Sequence, residues 1–195
     1  MRAALATVAV AALGAAALWW GTDQGGALTS EAARRLDIAA APRLLPDGTL
    51  RDQTGVEMAL SAYRGTPLVL EFVYATCPDI CLTLGTAFEQ LDATLPDDAR
   101  LVSISFDPND DTERLGWFAD RHGAAPPRWR VAGVADAQAR AALLDRAEVV
   151  VIPDGLGGFV HNAGLYLVDA DGRLTAVFDP DDTEGLRARL IDDAR

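Results

Sequence analysis

Two cysteines four positions apart, Cys77 and Cys81, are the residues of this 195-residue chain best suited to chemistry, and it has no others. They stand in Ala75-Thr76-Cys77-Pro78-Asp79-Ile80-Cys81, where a hydrophobic run gives way to a stretch of helical periodicity. A thiol at a helix N-terminus faces unpaired backbone N–H groups and the positive end of the helix dipole, so its pKa is expected below the free value of about 8.5. Pro78 suits a first helical turn, where a missing N–H costs nothing. Residues four apart on a helix share a face, with Cβ atoms about 5–6 Å apart. Both sulfurs can therefore meet on one ion or, after a small adjustment, join each other. Three chemistries stay open: a dithiol/disulfide couple, a two-thiolate metal site, and a structural disulfide, whose short loop gains little from closure. A zinc finger is disfavoured, because its remaining ligands would be His122 and His161, 39 positions apart, where such sites use a spacing of about three to five.

The elements that must hold this pair read as an α/β domain over residues 42–195. PLVLEFVY (67–74) is hydrophobic almost throughout, as a central strand covered on both faces is. The periodicity then predicts a helix over about 78–93, a strand at 101–106 and a helix at 112–122. A short strand at 129–131, a helix over about 136–146 and the strand EVVVI (148–152) follow. Beyond a Gly-rich loop, FVHNAGLYLVD (159–169) and RLTAVFD (173–179) form a hairpin, followed by an amphipathic helix after Asp182-Thr183. Strands alternating with helices and ending in a hairpin plus helix predict a mixed sheet flanked by helices.

Residues 3–20 carry no charge and as a helix would span roughly 27 Å, close to the ~30 Å hydrocarbon core. Arg2 in front and Trp19-Trp20 behind fit a transmembrane anchor. The high Ala content and Ala15-Ala16-Ala17 also fit a cleaved signal peptide. Either way the rest is expected outside the cytoplasm, as a single-pass inner-membrane protein facing the periplasm or another extracytoplasmic space, or as a secreted or periplasmic one. Residues 21–41 read as a tether with a short helix capped by Ser30. A net charge of -12 argues against nucleic acid and against docking on anionic lipid. Without residues 1–20, whose only charge is Arg2, the remainder carries -13, which favours a partner with a basic face.

The run F-V-Y-A-T-C-P-D-I-C (72–81) resembles the signature of the Sco/SenC family. L-R-D-Q-T-G (50–55), S-F-D-P-N-D-D-T (105–112) and H-N-A-G-L-Y-L-V-D-A-D-G-R-L (161–174) fit the same resemblance in order and spacing. It implies a membrane-tethered, thioredoxin-like domain that binds copper and assists assembly of the copper sites of cytochrome c oxidase. By position the implied ligands are Cys77, Cys81 and His161. Two departures, Leu82 where the family often has Pro and Asn162 where it often has Thr or Ser, remove no ligand.

A lone His entering a strand is by itself more often structural than ligating, and only the resemblance turns His161 into a ligand. Two thiolates and one imidazole suit Cu(I) and can hold Cu(II). His122 reads instead as the C-terminal cap of its helix. Asp107, at a strand's carboxyl end, either helps position the site or a partner, or only starts a turn before Asp110 and Asp111. Asp79 would make the neighbouring thiols less acidic, and its expected role is partner contact. The leading function is a metallochaperone that exchanges copper with the copper-site subunit of cytochrome c oxidase or with another copper chaperone. The alternative is a tethered thiol-disulfide reductase in which Cys77 attacks and Cys81 resolves. A peroxidase and an interaction module with a merely structural disulfide are weaker readings, and no classical enzyme is expected.

Overall fold

The computed structural model describes residues 2–77 and 80–193 and divides into two compact units, Met1–Ala41 and Pro42–Arg195. The first holds helices α1 (Arg2–Gly21) and α2 (Ser30–Ala40). α1 has mean hydropathy 1.8 and no buried residue, and is long and apolar enough to cross a membrane. α2 starts one residue off the expected cap. Ser30 is already helical, and the extended Thr29 accepts the Ala32 N–H through its side chain.

The second unit is built on one sheet of β1 (Arg43–Leu44), β2 (Thr49–Asp52), β3 (Glu57–Ala59), β4 (Leu68–Val73), β5 (Arg100–Ser105), β6 (Trp129–Val134), β9 (Leu165–Val168) and β10 (Arg173–Phe178). Its order is β1-β10-β9-β4-β5-β6-β2-β3, with β4, β5 and β6 parallel and the other pairings antiparallel. β7 (Val151–Pro153) and β8 (Phe159–His161) form a separate two-stranded ribbon. Helices α3 (Ile80–Thr94), α4 (Thr112–His122), α5 (Ala137–Arg146) and α6 (Thr183–Asp193) complete the mixed α/β architecture expected from the sequence. The motif around residues 50–55 is structural: buried Asp52 accepts the Thr54 and Val56 N–H groups and pairs with Arg130, closing the turn after β2.

The crossovers β4-α3-β5 and β5-α4-β6 advance in the same direction, so right-handedness puts α3 and α4 on one face. On that face Phe88 meets Trp129 at 5.6 Å, and on the other Phe72 meets Tyr166 edge-on at 5.0 Å. The helices approach closely because α3 offers Gly85 to His122 of α4. Gly123, at φ 74°, ends α4, and His122, the last helical residue and the expected C-terminal cap, is buried with Nδ1 2.6 Å from Glu89 Oε1, so it also packs the core. A Cβ on Gly85 would lie 2.5 Å from the imidazole. Gly85→Ala is therefore expected to displace His122 and cost about 1–3 kcal/mol, read as a lower urea midpoint with the far-ultraviolet circular dichroism kept.

Two expected strands are cut short, and both changes shape the site. EVVVI pairs only from Val151, because Glu148 adopts φ 53° where the chain leaves α5. The run 159–169 breaks into β8 and β9 at Asn162. Its side-chain carbonyl accepts the Val150 N–H at 2.7 Å and its amide donates to the Glu148 carbonyl at 2.9 Å, turning the chain out of the ladder. The departure at Asn162 is thus a structural tie at the base of the β7–β8 ribbon.

Candidate metal centre

The centre lies beyond the carboxyl ends of β4 and β5, where parallel sheets commonly place ligands. The Phe106 N–H bonds to the Val73 carbonyl at 3.0 Å, carrying the ladder one step past both strands. The chain then bends, with the Cys77 N–H on the Tyr74 carbonyl at 3.1 Å. Asp110 holds this bend from below: its Oδ2 accepts the Ala75 N–H at 2.7 Å and the Ser105 hydroxyl at 2.5 Å. Burial pushes the Asp110 carboxyl up, against the pull of those two donors.

Cys77 and Cys81 are both buried and are not joined in a disulfide. The Cys81 N–H, in the first turn of α3, donates to Cys77 Sγ at 3.3 Å, so the sulfur serves as acceptor for a helix-end amide, as the helix-terminus argument expects. Cys81 itself departs from the expected acidity. Its hydrogen bond with Cys77 and then its burial push its thiol far up. A hydrogen bond from one thiol to the other favours a single negative charge over two.

His161 ends β8 with Nε2 3.9 Å from Cys81 Sγ. Its ring stands edge-on to Phe106 at 5.0 Å and near Tyr74 at 6.4 Å. Metal–thiolate and metal–imidazole bonds of zinc-like length set the two ligand atoms roughly 3.5–3.8 Å apart around a shared ion. Cys81 and His161 are thus within a few tenths of an ångström of a ligating separation. The Cys77 sulfur, on the Cys81 amide at 3.3 Å, lies beside that pair. Among the described residues no three His, Cys, Asp or Glu side chains are already gathered as a metal cluster.

Asp79 lies outside the described residues. Asp107 is buried, and its Oδ1 accepts the backbone N–H and the side-chain amide of Asn109, so it braces its own turn. Asp110, three residues on, makes the contact with the cysteine loop. Sequence reasoning passed over Asp110, Tyr74 and Asn162 as parts of the centre. The segment holding Asp107, Asp110 and Asp111 pointed to a useful carboxylate, but only the turn geometry selects which one faces Ala75. The ribbon is two-faced: His161 and Phe159 turn toward the loop, while Val150, Ile152, Leu156 and Val160 are exposed, Leu156 at 93%.

A family model described as SCO1/SenC matches residues 38–194. The SCO1 protein homolog of Bacillus subtilis is 26% identical over 132 residues, covering 65% of this chain and 68% of that protein. The SCO1/SenC family lipoprotein of Bacillus anthracis superposes with TM-score 0.72 at 19% identity, over 80% of this chain and 98% of that one. Copper-bound ScoI of Bradyrhizobium japonicum gives 0.65 at 24% identity (76% and 98%), and copper-bound yeast Sco1 gives 0.61 at 19% (77% and 90%). The shared fold is the thioredoxin-like one.

Proposed function

The chain belongs to the SCO1/SenC family, and from that premise we propose that it is an exported copper-binding chaperone that assists assembly of the copper site of cytochrome c oxidase. Copper is its cargo, held by Cys77, Cys81 and His161. The observation that supports this most directly is the 3.9 Å approach of His161 Nε2 to Cys81 Sγ beside a second buried cysteine. Two thiolates and one imidazole select a soft ion, and three-coordination leaves an open side for ligand exchange with a partner. Copper-bound relatives of the same fold support the cargo, and a relative described as a member of the Sco family of cytochrome c oxidase assembly proteins supports the destination.

The partner is a copper donor or acceptor with an apolar contact and a basic rim. The exposed face of the β7–β8 ribbon supplies the apolar half, and the net charge of -12 supplies the electrostatic preference. α1 anchors the protein in the inner membrane or serves as its signal, with the second unit in the periplasm or an equivalent extracytoplasmic space.

The test is copper titration of the full chain in detergent after reduction. One copper per chain is expected, and none with comparable affinity in a Cys77→Ser/Cys81→Ser double variant. Equal uptake by both proteins defeats the chaperone reading. A second reading, a reductase that keeps a partner's copper-ligand cysteines reduced, is favoured by the asymmetry of the pair: a helix-end amide on Cys77 and a strongly raised Cys81 thiol suit an attacking and a resolving cysteine.

A further inference from the structure

The helix that leads into the β7–β8 ribbon ends on an unusual residue. At the end of α5 the Glu148 N–H bonds to the Asp145 carbonyl at 3.0 Å and the Val149 N–H to the Leu144 carbonyl at 2.8 Å, the Schellman pattern, with Glu148 left-handed at φ 53°. Glycine is the usual residue at that position, since it carries no Cβ to strain the turn. Among the described residues of the second unit, Glu148 is the one residue other than glycine with a positive φ. Such strain persists where the surroundings hold the residue in place. Here the Glu148 carboxylate pairs with the Arg43 guanidinium of β1.

β1 is itself fixed to the sheet. Arg43 lies opposite Leu174 of β10, and the Leu44 carbonyl accepts Arg146 Nε–H at 3.2 Å. On the ribbon side, the Glu148 carbonyl accepts the Asn162 amide at 2.9 Å, and the Asn162 side-chain carbonyl accepts the Val150 N–H at 2.7 Å. Contacts therefore run from the edge strand through Glu148 to the residue that follows His161. The ribbon stands apart from the main sheet, and two strands alone are marginal in water. Phe159 secures it on one side of His161, packing on Tyr74 at 5.2 Å and on Phe106 at 5.5 Å. Asn162 secures it on the other. Resting on the reading of His161 as a copper ligand, we propose that Arg43 and Glu148 are positioning residues for it. Their ion pair clamps the base of the ribbon to the sheet and so sets where the imidazole meets the Cys81 sulfur.

The test compares Arg43→Met and Glu148→Gly in the full, reduced chain in detergent. Each removes the ion pair, and glycine suits the turn, so the second variant keeps the fold. Copper affinity, read by competition with a chelator of known affinity, should fall about tenfold in each and no further in the double variant, the lower end of what a group orienting a metal ligand is worth. Affinity within about twofold of wild type in either variant, whatever the urea midpoint does, means that the pair only stabilises the fold and overturns the proposal. With His161→Ala already in place, adding Arg43→Met should change affinity less than about twofold, and a further tenfold loss there overturns it as well. If wild type takes up no copper, the chaperone reading fails by itself, and amide hydrogen exchange without metal still decides whether the pair fixes the ribbon. Exchange at Val150, whose N–H is held by Asn162, should quicken about tenfold in Arg43→Met, while the Phe106 N–H on the Val73 carbonyl keeps its rate. An unchanged rate at Val150 overturns the clamp.

Discussion

Replacing His161 by alanine is expected to weaken copper binding by the reduced protein more than about 100-fold, while the dithiol still oxidises and reduces nearly as in wild type. Groups that merely orient a metal ligand are worth about 10–100-fold in affinity, and a ligand itself is worth more. The asymmetry between the two activities follows from the geometry. His161 reaches Cys81 across the gap between the β7–β8 ribbon and α3, whereas the two cysteines lie on one turn and need no help from the ribbon to pair. Competition with a chelator of known copper affinity measures the first quantity, and equilibration with dithiothreitol redox buffers measures the second. An affinity within about threefold of wild type would remove His161 from the ligand set, and a large change in the dithiol potential would mean that the ribbon had collapsed.

The second large effect concerns a buried acid. Glu71, on β4, is fully buried. Its Oε1 accepts the Ser103 hydroxyl at 2.5 Å, the same Ser103 oxygen accepts Trp129 Nε1–H at 2.9 Å, and Glu71 Oε2 is a buried oxygen with no hydrogen-bond partner. Burial pushes this carboxyl up from its ordinary 4.5 to about 8, against the smaller pull of Ser103. Between those two values the unfolded chain has released the proton and the folded chain has kept it. Stability contributed by Glu71 therefore falls as pH rises, by about 1.4 kcal/mol per pH unit, and levels off above the folded pKa.

Glu71→Gln keeps the shape of the protonated acid and cannot ionise. Its amide nitrogen takes the partnerless Oε2 position and leaves both N–H groups unpaired, one more than the protonated acid leaves, a cost of about 1–3 kcal/mol that does not change with pH. The readout is the difference between variant and wild type. From pH 5 to pH 8 that difference should move by about 3 kcal/mol in favour of Gln, measured by urea unfolding at each pH. A difference that does not change with pH means that Glu71 is not held protonated by the fold. The same measurement on Ser103→Ala should show a folded pKa raised further, because the one donor favouring the charged form is gone.

The long elements were legible because their physical signal is local. The hydrophobic run at β4 and the boundaries of α4 follow from side-chain period and from Asp111, which caps Thr112–His122. Where long-range contacts decide, the local signal failed. EVVVI has the composition of a full strand, yet a left-handed Glu148 and the Asn162 side chain leave only Val151 and Ile152 of it paired, in a separate ribbon. His122, beside a glycine at a helix end, reads as a cap. It is a core residue because a helix distant in sequence presents Gly85 to it.

The sequence by itself determined the cysteine pair, its place between a central strand and a helix, the apolar N-terminal segment and the mixed α/β class. Each of these depends on neighbours within a turn or a strand, and periodicity and spacing record such neighbours. The tertiary structure alone decided how far His161 stands from Cys81, which aspartate holds the cysteine loop, and that Tyr74 joins that loop to the ribbon. Those contacts link residues between 35 and 85 positions apart. They exist only once the strands β4, β5 and β6 lie in register and the chain turns at Asn162 to bring the ribbon back over their carboxyl ends.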